Sequence, residues 1–100
     1  MIRNQMRPIH PGEILRDVFL LPLQMSAHAL SQALRVPATR VNDIVNGKRG
    51  ITADTALRLA RYYGNSPDFW MNLQAAYDLR AAEREASVRI KREVSPREMA

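Results

Sequence analysis

Apolar residues recur every three or four positions along most of the chain, which predicts a protein built from α-helices. The first predicted helix begins at Pro11, because proline suits the first turn of a helix. It ends near Leu21, since Pro22 disfavours helical geometry in the residue before it. Its apolar face is predicted to consist of Ile14, Leu15, Val18 and Phe19.

A second and a third helix follow, separated by a tight turn. Ser26 is a favourable N-cap for the second helix, which runs to about Leu34. Arg35 occupies the turn position where helix-turn-helix units usually carry glycine, so it is expected to adopt a positive φ. The third helix covers residues 38–46, and Gly47 is expected to end it in the left-handed conformation. The predicted buried positions are Leu30, Leu34, Val36, Val41, Ile44 and Val45.

Two further helices complete an all-α, five-helix plan. Thr52 is expected to cap the fourth helix and Gly64 to end it. Ser66 and Pro67 start the fifth, which is expected to run to about Ala86. The inward positions of the fourth helix are predicted to be Ala56, Leu57, Leu59 and Ala60. The chain then divides into an N-terminal arm (1–10), a helix-turn-helix domain that includes the last helix (11–86) and a polar flexible tail (87–100).

The second and third helices form a candidate helix-turn-helix, the unit that places its second helix in the DNA major groove. Small and polar side chains remain on the outer face of the third helix, where they are predicted to contact base edges: Ala38, Thr39, Arg40, Asn42 and Asp43. Phosphate contacts are predicted for residues that flank this helix: Ser26, His28, Lys48 and Arg49. The alternative is an ordinary pair of packed helices whose basic residues lie on a solvated face.

Composition favours a polyanionic partner. Lysine and arginine number 15 against 10 acidic residues, so the formal net charge is +5, which suits nucleic acid or an anionic membrane surface. The chain has no cysteine, which excludes disulfides and thiolate metal sites. The longest apolar run, near Val18–Leu23, is too short to span a bilayer, and the N-terminus lacks the apolar core of a signal peptide. A cytoplasmic protein is therefore expected.

Catalytic chemistry finds little support in the sequence. It shows no nucleophile beside a plausible base and no glycine-rich phosphate loop, so neither an enzyme nor a cofactor is expected. His10 and Glu13 are spaced as metal ligands can be, but no ligand cluster completes a site. A helix start shaped by His10 and Pro11, with Glu13 at the positive end of the helix dipole, is the preferred interpretation.

The fifth predicted helix carries an apolar stripe that includes aromatic residues. One interpretation is that the stripe belongs entirely to the core. The other is mixed: Phe69 and Leu73 are buried in the monomer, while part of the face is a dimer interface, since tryptophan and tyrosine are enriched at interfaces. The candidate interface residues are Trp70, Leu73 and Tyr77.

Several motifs together resemble the HigA-type antitoxins, also called virulence-associated protein I, of the XRE or lambda-repressor-like helix-turn-helix superfamily. The resemblance covers residues 10–79 and depends on three segments taken together: His10–Glu13, Asn46–Thr52 and Phe69–Gln74. Pro37 departs from the pattern, because relatives often carry serine there as the cap of the recognition helix.

The resemblance implies a five-helix lambda-repressor-like domain that dimerises, commonly through its C-terminal helices. It implies binding to a palindromic operator in the protein's own promoter, and therefore autorepression. It also implies neutralisation of a RelE-like, HigB-type toxin that cleaves messenger RNA. A solitary XRE-family regulator without a toxin partner is the alternative.

Overall fold

The computed structural model describes residues 7–98, so residues 1–6 of the expected arm and residues 99–100 of the expected tail lie outside it. Five α-helices and no strands occur in the described part, which confirms the all-α, five-helix prediction. The helices are α1 (Pro11–Ile14), α2 (Ala27–Leu34), α3 (Ala38–Val45), α4 (Ala53–Tyr63) and α5 (Pro67–Glu93). A π-helical segment, Leu15–Leu20, continues directly from α1.

A capping box starts α1. The His10 Nδ1 accepts a hydrogen bond from the Gly12 N–H at 2.9 Å, and the Glu13 Oε2 accepts one from the His10 N–H at 3.2 Å. The Nη1 and Nη2 of Arg7 then donate to the Glu13 carboxylate at 2.7 Å, and these bonds lower the pKa of Glu13 to about 2. These contacts confirm the helix-start interpretation of His10 and Glu13.

The π-helical segment changes which side chains face the core. The Leu21 N–H donates to the Arg16 carbonyl oxygen, five residues back, at 2.9 Å. The wider turn puts Leu15 and Leu20 on the same buried side, because a π-helix has more residues per turn than an α-helix and so brings positions five apart closer to one side. Val18 is 56% exposed, so its predicted place on the apolar face is wrong.

Trp70 lies at the centre of the core. It is 0% exposed, and its Nε1 donates to the Asn65 Oδ1 at 2.9 Å. Its ring packs against Phe19 and Phe69, with centroids 4.9 and 5.0 Å away. A side chain that is already sealed inside the protomer has no surface to offer a partner, so the prediction that Trp70 lies at a dimer interface is wrong.

Three other sequence-based predictions need correction. Phe69, expected to be buried, keeps 39% of its surface exposed, because Trp70 takes the central position. Leu57 is exposed, since α4 buries the adjoining face that carries Ala56, Leu59 and Ala60. The fifth helix continues to Glu93 instead of ending near Ala86, so residues 87–93 are helical and do not belong to the expected tail.

The remaining helix boundaries agree with the predictions. The hydroxyls of Ser26, Thr52 and Ser66 each accept a hydrogen bond from a backbone N–H in the first turn of α2, α4 and α5. Gly64 ends α4 with a φ of +74°, the left-handed geometry expected of it. These local signals fix where the helices begin and end, because each depends on residues only two or three positions apart.

Gly12 provides the closest approach between α1 and α3. A Cβ at this position would overlap the carbonyl oxygen of Ile44, a backbone atom that has no freedom to move aside. We expect Gly12→Ala to lower the free energy of unfolding by about 3 kcal/mol or more. Urea denaturation followed by circular dichroism measures this loss.

Gly47→Ala is the matched control. Gly47 has a φ of +75° but no neighbour within 4 Å, so alanine there is expected to cost only about 1 kcal/mol of backbone strain. Equal losses for the two variants would contradict the assignment of Gly12 to a helix contact.

His10 makes the stability of the fold depend on pH. Its Nδ1 must stay unprotonated to accept from Gly12, and burial lowers the pKa of His10 below its ordinary value of 6.5, against the opposing attraction of the Glu13 and Asp78 carboxylates. Its contribution is therefore complete above the pKa of the unfolded state, and it is lost as the pH falls through the pKa of the folded state.

We expect the wild-type free energy of unfolding to decrease between about pH 7.5 and about pH 5. His10→Asn keeps an N-cap oxygen but cannot titrate, so its dependence on pH should be flatter over the same range. Urea titrations at several pH values measure both slopes, and parallel slopes would refute the role of His10.

Candidate nucleic-acid interface

The turn between α2 and α3 has the geometry expected of a helix-turn-helix. Arg35 adopts a φ of +60° and a ψ of +43°, which confirms the predicted left-handed conformation. The N–H of Val36 donates to the Ser31 carbonyl oxygen at 3.1 Å and closes the turn. The Arg58 Nη1 donates to the Leu34 carbonyl oxygen at 2.9 Å, so α4 also supports the end of α2.

One side of α3 is sealed against the rest of the domain. Val41 and Ile44 of α3 are 0% exposed, and they belong to the same buried cluster as Leu30 and Leu34 of α2. This packing confirms the burial predicted for Leu30, Leu34, Val41 and Ile44, while Val36 and Val45 are only half-buried. It also fixes which side of α3 faces solvent.

The outer side of α3 brings together most of the residues predicted to contact bases. Ala38, Thr39 and Asn42 are exposed, and Thr39 and Asn42 lie three positions apart on one face of the helix. Asp43 is half-buried. Its carbonyl oxygen accepts a hydrogen bond from the Lys48 N–H at 2.8 Å, which holds the loop that follows α3 against the helix.

Arg40 lies apart from this exposed group. Its Nη1 donates to the Thr55 Oγ1 of α4 at 3.3 Å, and its Nε is buried without a hydrogen-bond partner in the part of the chain that the structure describes. The guanidinium is therefore directed at α4 and not at the surface that carries Thr39 and Asn42.

The residues predicted to contact phosphates are all exposed, and they flank α3 on both sides. Ser26 and His28 lie at the start of α2, while Lys48 and Arg49 follow the end of α3. The Ser26 Oγ accepts from the Ala29 N–H at 3.0 Å, which leaves its hydroxyl hydrogen available to donate elsewhere. Between residues 35 and 49 the exposed charged side chains are those of Arg35, Lys48 and Arg49, while the acidic Asp43 is half-buried, so the surface is cationic.

Ser31, a serine that the helical periodicity did not single out, is 0% exposed. Its Oγ lies 3.3 Å from the Ala38 carbonyl oxygen and 3.4 Å from the Val41 nitrogen, so it joins α2 to the first turn of α3. The signal that could have identified it is a hydroxyl between Leu30 and Leu34, on a helix face that is otherwise apolar. A buried hydroxyl needs a partner, and only a neighbouring backbone could supply one.

A second surface feature lies on α5. An apolar groove of about 360 Å³ runs between the N-terminal segment and this helix. Leu73 and Tyr77, two of the predicted interface residues, line it together with Ile14, and all three are half-buried, while Ile9 at the same groove is exposed.

Within residues 7–98, no helix has the length and hydropathy that crossing a membrane would require.

The tight turn, the buried packing of α2 on α3 and the exposed outer face of α3 define a helix-turn-helix domain. The family described as "Helix-turn-helix" matches residues 15–70, which spans α2, the turn and α3. Virulence-associated protein I of Dichelobacter nodosus is 57% identical over 83 residues, which is 83% of this chain and 77% of the relative. Antitoxin HigA-1 of Vibrio cholerae is 39% identical over 79 residues, covering 79% of this chain and 74% of the relative.

The solved structures that this chain resembles include antitoxins of the same kind. The Pseudomonas aeruginosa antitoxin HigA, solved with the higBA promoter, superposes with a TM-score of 0.88 at 53% identity, over 90% of this chain and 98% of that one. The chain therefore belongs to the HigA antitoxin family of XRE-type helix-turn-helix proteins.

Proposed function

We propose that this protein is the operator-binding autorepressor and the antitoxin of a HigB/HigA-type toxin–antitoxin pair, acting in the cytoplasm, where its promoter DNA would lie. The observation that carries the DNA-binding part is the two-sided character of α3. Its inner residues Val41 and Ile44 are fully buried, while Thr39 and Asn42 are exposed on its outer side and the exposed cations Lys48 and Arg49 follow its end. The solved relative that carries the higBA promoter supports the same assignment.

In this proposal the exposed α3 residues read the base edges. The Asn42 amide can form a bidentate pair with adenine, and the Thr39 methyl can contact thymine. The small side chain of Ala38 allows α3 to lie close to the bases. The Asp43 carboxylate can accept a hydrogen bond from a cytosine amine. Arg40 of α3 bonds to Thr55 of α4 and so joins the two helices instead of reading a base.

Affinity comes from the phosphate contacts. Lys48 and Arg49 attract the backbone, while Ser26 and His28 donate to it from the start of α2. These contacts position the protein without selecting a sequence. Affinity and sequence choice are thus assigned to different side chains.

A palindromic operator calls for a homodimer, which would place two α3 helices in successive major grooves about 34 Å apart. The groove beside Leu73 and Tyr77 supports an interface on α5. Further along the helix, Leu79 and Ile90 are also exposed and apolar. Trp70 takes no part in this interface. The proposal assigns no catalytic role or cofactor to the chain.

Asn42→Ala and Lys48→Ala separate the two classes of DNA contact. We expect Asn42→Ala to weaken binding to the protein's own upstream region by about 1–3 kcal/mol and to relax specificity at one operator position. Lys48→Ala should weaken binding to all sequences alike and reduce the slope of log K against log salt by about one.

Fluorescence anisotropy on operator and random duplexes, between about 50 and 200 mM salt, measures both effects. Each variant is the control for the other. An equal loss on random DNA for Asn42→Ala would count against base readout, and an unchanged salt slope for Lys48→Ala would count against the phosphate contact.

The antitoxin part of the proposal makes a separate prediction. If an adjacent reading frame encodes a small basic RelE-like ribonuclease, we expect this chain to bind the product and to restore growth when the two are expressed together. Co-purification and a growth assay measure this. The absence of binding would leave the chain as a solitary regulator, without affecting its role on DNA.

A further inference from the structure

The recognition helix α3 begins without a cap of its own. Pro37 occupies the N-cap position and makes no side-chain hydrogen bond, because its ring carries no acceptor. Its carbonyl oxygen accepts from the Arg40 N–H at 2.9 Å, which is the bond that closes the first turn. A serine, threonine, aspartate or asparagine at this position would hold the turn from within the helix, but Pro37 cannot.

Ser31 reaches the same turn from α2. It is 0% exposed, its hydroxyl donates to the Ala38 carbonyl oxygen, and its Oγ accepts from the Val41 N–H. Both partners belong to the first half of α3. A buried hydroxyl without hydrogen-bond partners would destabilise the fold. The Ser31 hydroxyl is satisfied only because the first turns of α3 lie within hydrogen-bond distance of it.

A hydrogen bond between Arg40 and Thr55 joins α3 to α4. Thr55 is 1% exposed, and its Oγ1 accepts from Arg40 and from the hydroxyl of Thr52, the N-cap of α4. The start of α3 is therefore held by side-chain hydrogen bonds to two neighbouring helices.

We propose that Ser31 is a positioning residue for base readout, and that it supplies from α2 the support that Pro37 cannot give. The inference rests on the proposed DNA-reading role of α3. A hydrogen bond to a base edge tolerates only a few tenths of an ångström in distance. The long side chains of Lys48 and Arg49 can follow a phosphate over a much wider range. A small shift of α3 should therefore reduce sequence choice more than general affinity.

Ser31→Ala tests this proposal. Dissociation constants are measured at one salt concentration for a duplex from the protein's own upstream region and for a scrambled duplex of the same length. We expect affinity for the first duplex to fall about five- to tenfold, the size of one lost hydrogen bond. Affinity for the scrambled duplex and the salt slope should stay unchanged.

Pro37→Ser supplies the rescue. Added to Ser31→Ala, it gives α3 a side-chain cap of its own and should recover most of the lost affinity for the upstream duplex. Leu20→Val is the control for general destabilisation, because it trims a buried side chain of the π-helical segment without touching the start of α3. Thermal melts establish that every variant is folded at the temperature of the binding measurement.

The outcomes distinguish the role of Ser31 from the DNA-reading role of α3. If Ser31→Ala loses affinity equally for both duplexes, loses none, or behaves like Leu20→Val, Ser31 is only a structural residue and the inference is overturned. If the wild-type protein itself fails to distinguish the two duplexes, the DNA-reading role of α3 is overturned and this inference with it.

Discussion

The burial of one side of α3 against α2 is the contact on which the rest of the structure depends. Leu30 and Leu34 meet Val41 and Ile44 in a core that excludes water, and burial of each such side chain contributes about 1.5–3 kcal/mol. Because this contact fixes the rotation of α3 about its own axis, it also decides which residues face outward. The surface proposed to read DNA is thus a direct consequence of how the core is packed.

The other helices serve mainly to hold this pair in place. Gly12 lets α1 approach the end of α3 at backbone distance, and Arg58 of α4 bonds to the last carbonyl of α2. The Gln74 Oε1 of α5 accepts from the Ile51 N–H at 2.7 Å and fixes the segment between α3 and α4. The exposed ion pairs, such as that of Arg80 with Glu83, add little, because solvent screens them.

The proposed division between affinity and specificity follows from the length of the side chains. Lys48 and Arg49 lie outside the helical elements and can reach phosphates by changing their rotamers. Thr39 and Asn42 are short, so their reach is set by the helix that carries them. Such short side chains can select a sequence only if the helix is rigidly held, and the bonds of Ser31 and Arg40 hold it.

Much of this fold could be predicted from the sequence, because the signals involved are local. Ser26, Thr52 and Ser66 mark helix starts, and Arg35 and Gly64 mark left-handed positions. Each depends on backbone groups within a few residues of itself. The exposed face of α3 was predictable as well, since the apolar Val41 and Ile44, three positions apart, mark one side for burial and leave the opposite side free.

Tertiary packing decided the rest. Periodicity could not show that a π-helical turn would expose Val18, that Trp70 would fill the centre of the core, or that α5 would continue to Glu93. It also could not show that Arg40 turns towards Thr55 or that Ser31 supports the start of α3. A sequence pattern specifies which side of a helix is apolar, but only the assembled structure specifies which atoms of another helix lie against it, and contact between distant residues is what gives those side chains their roles.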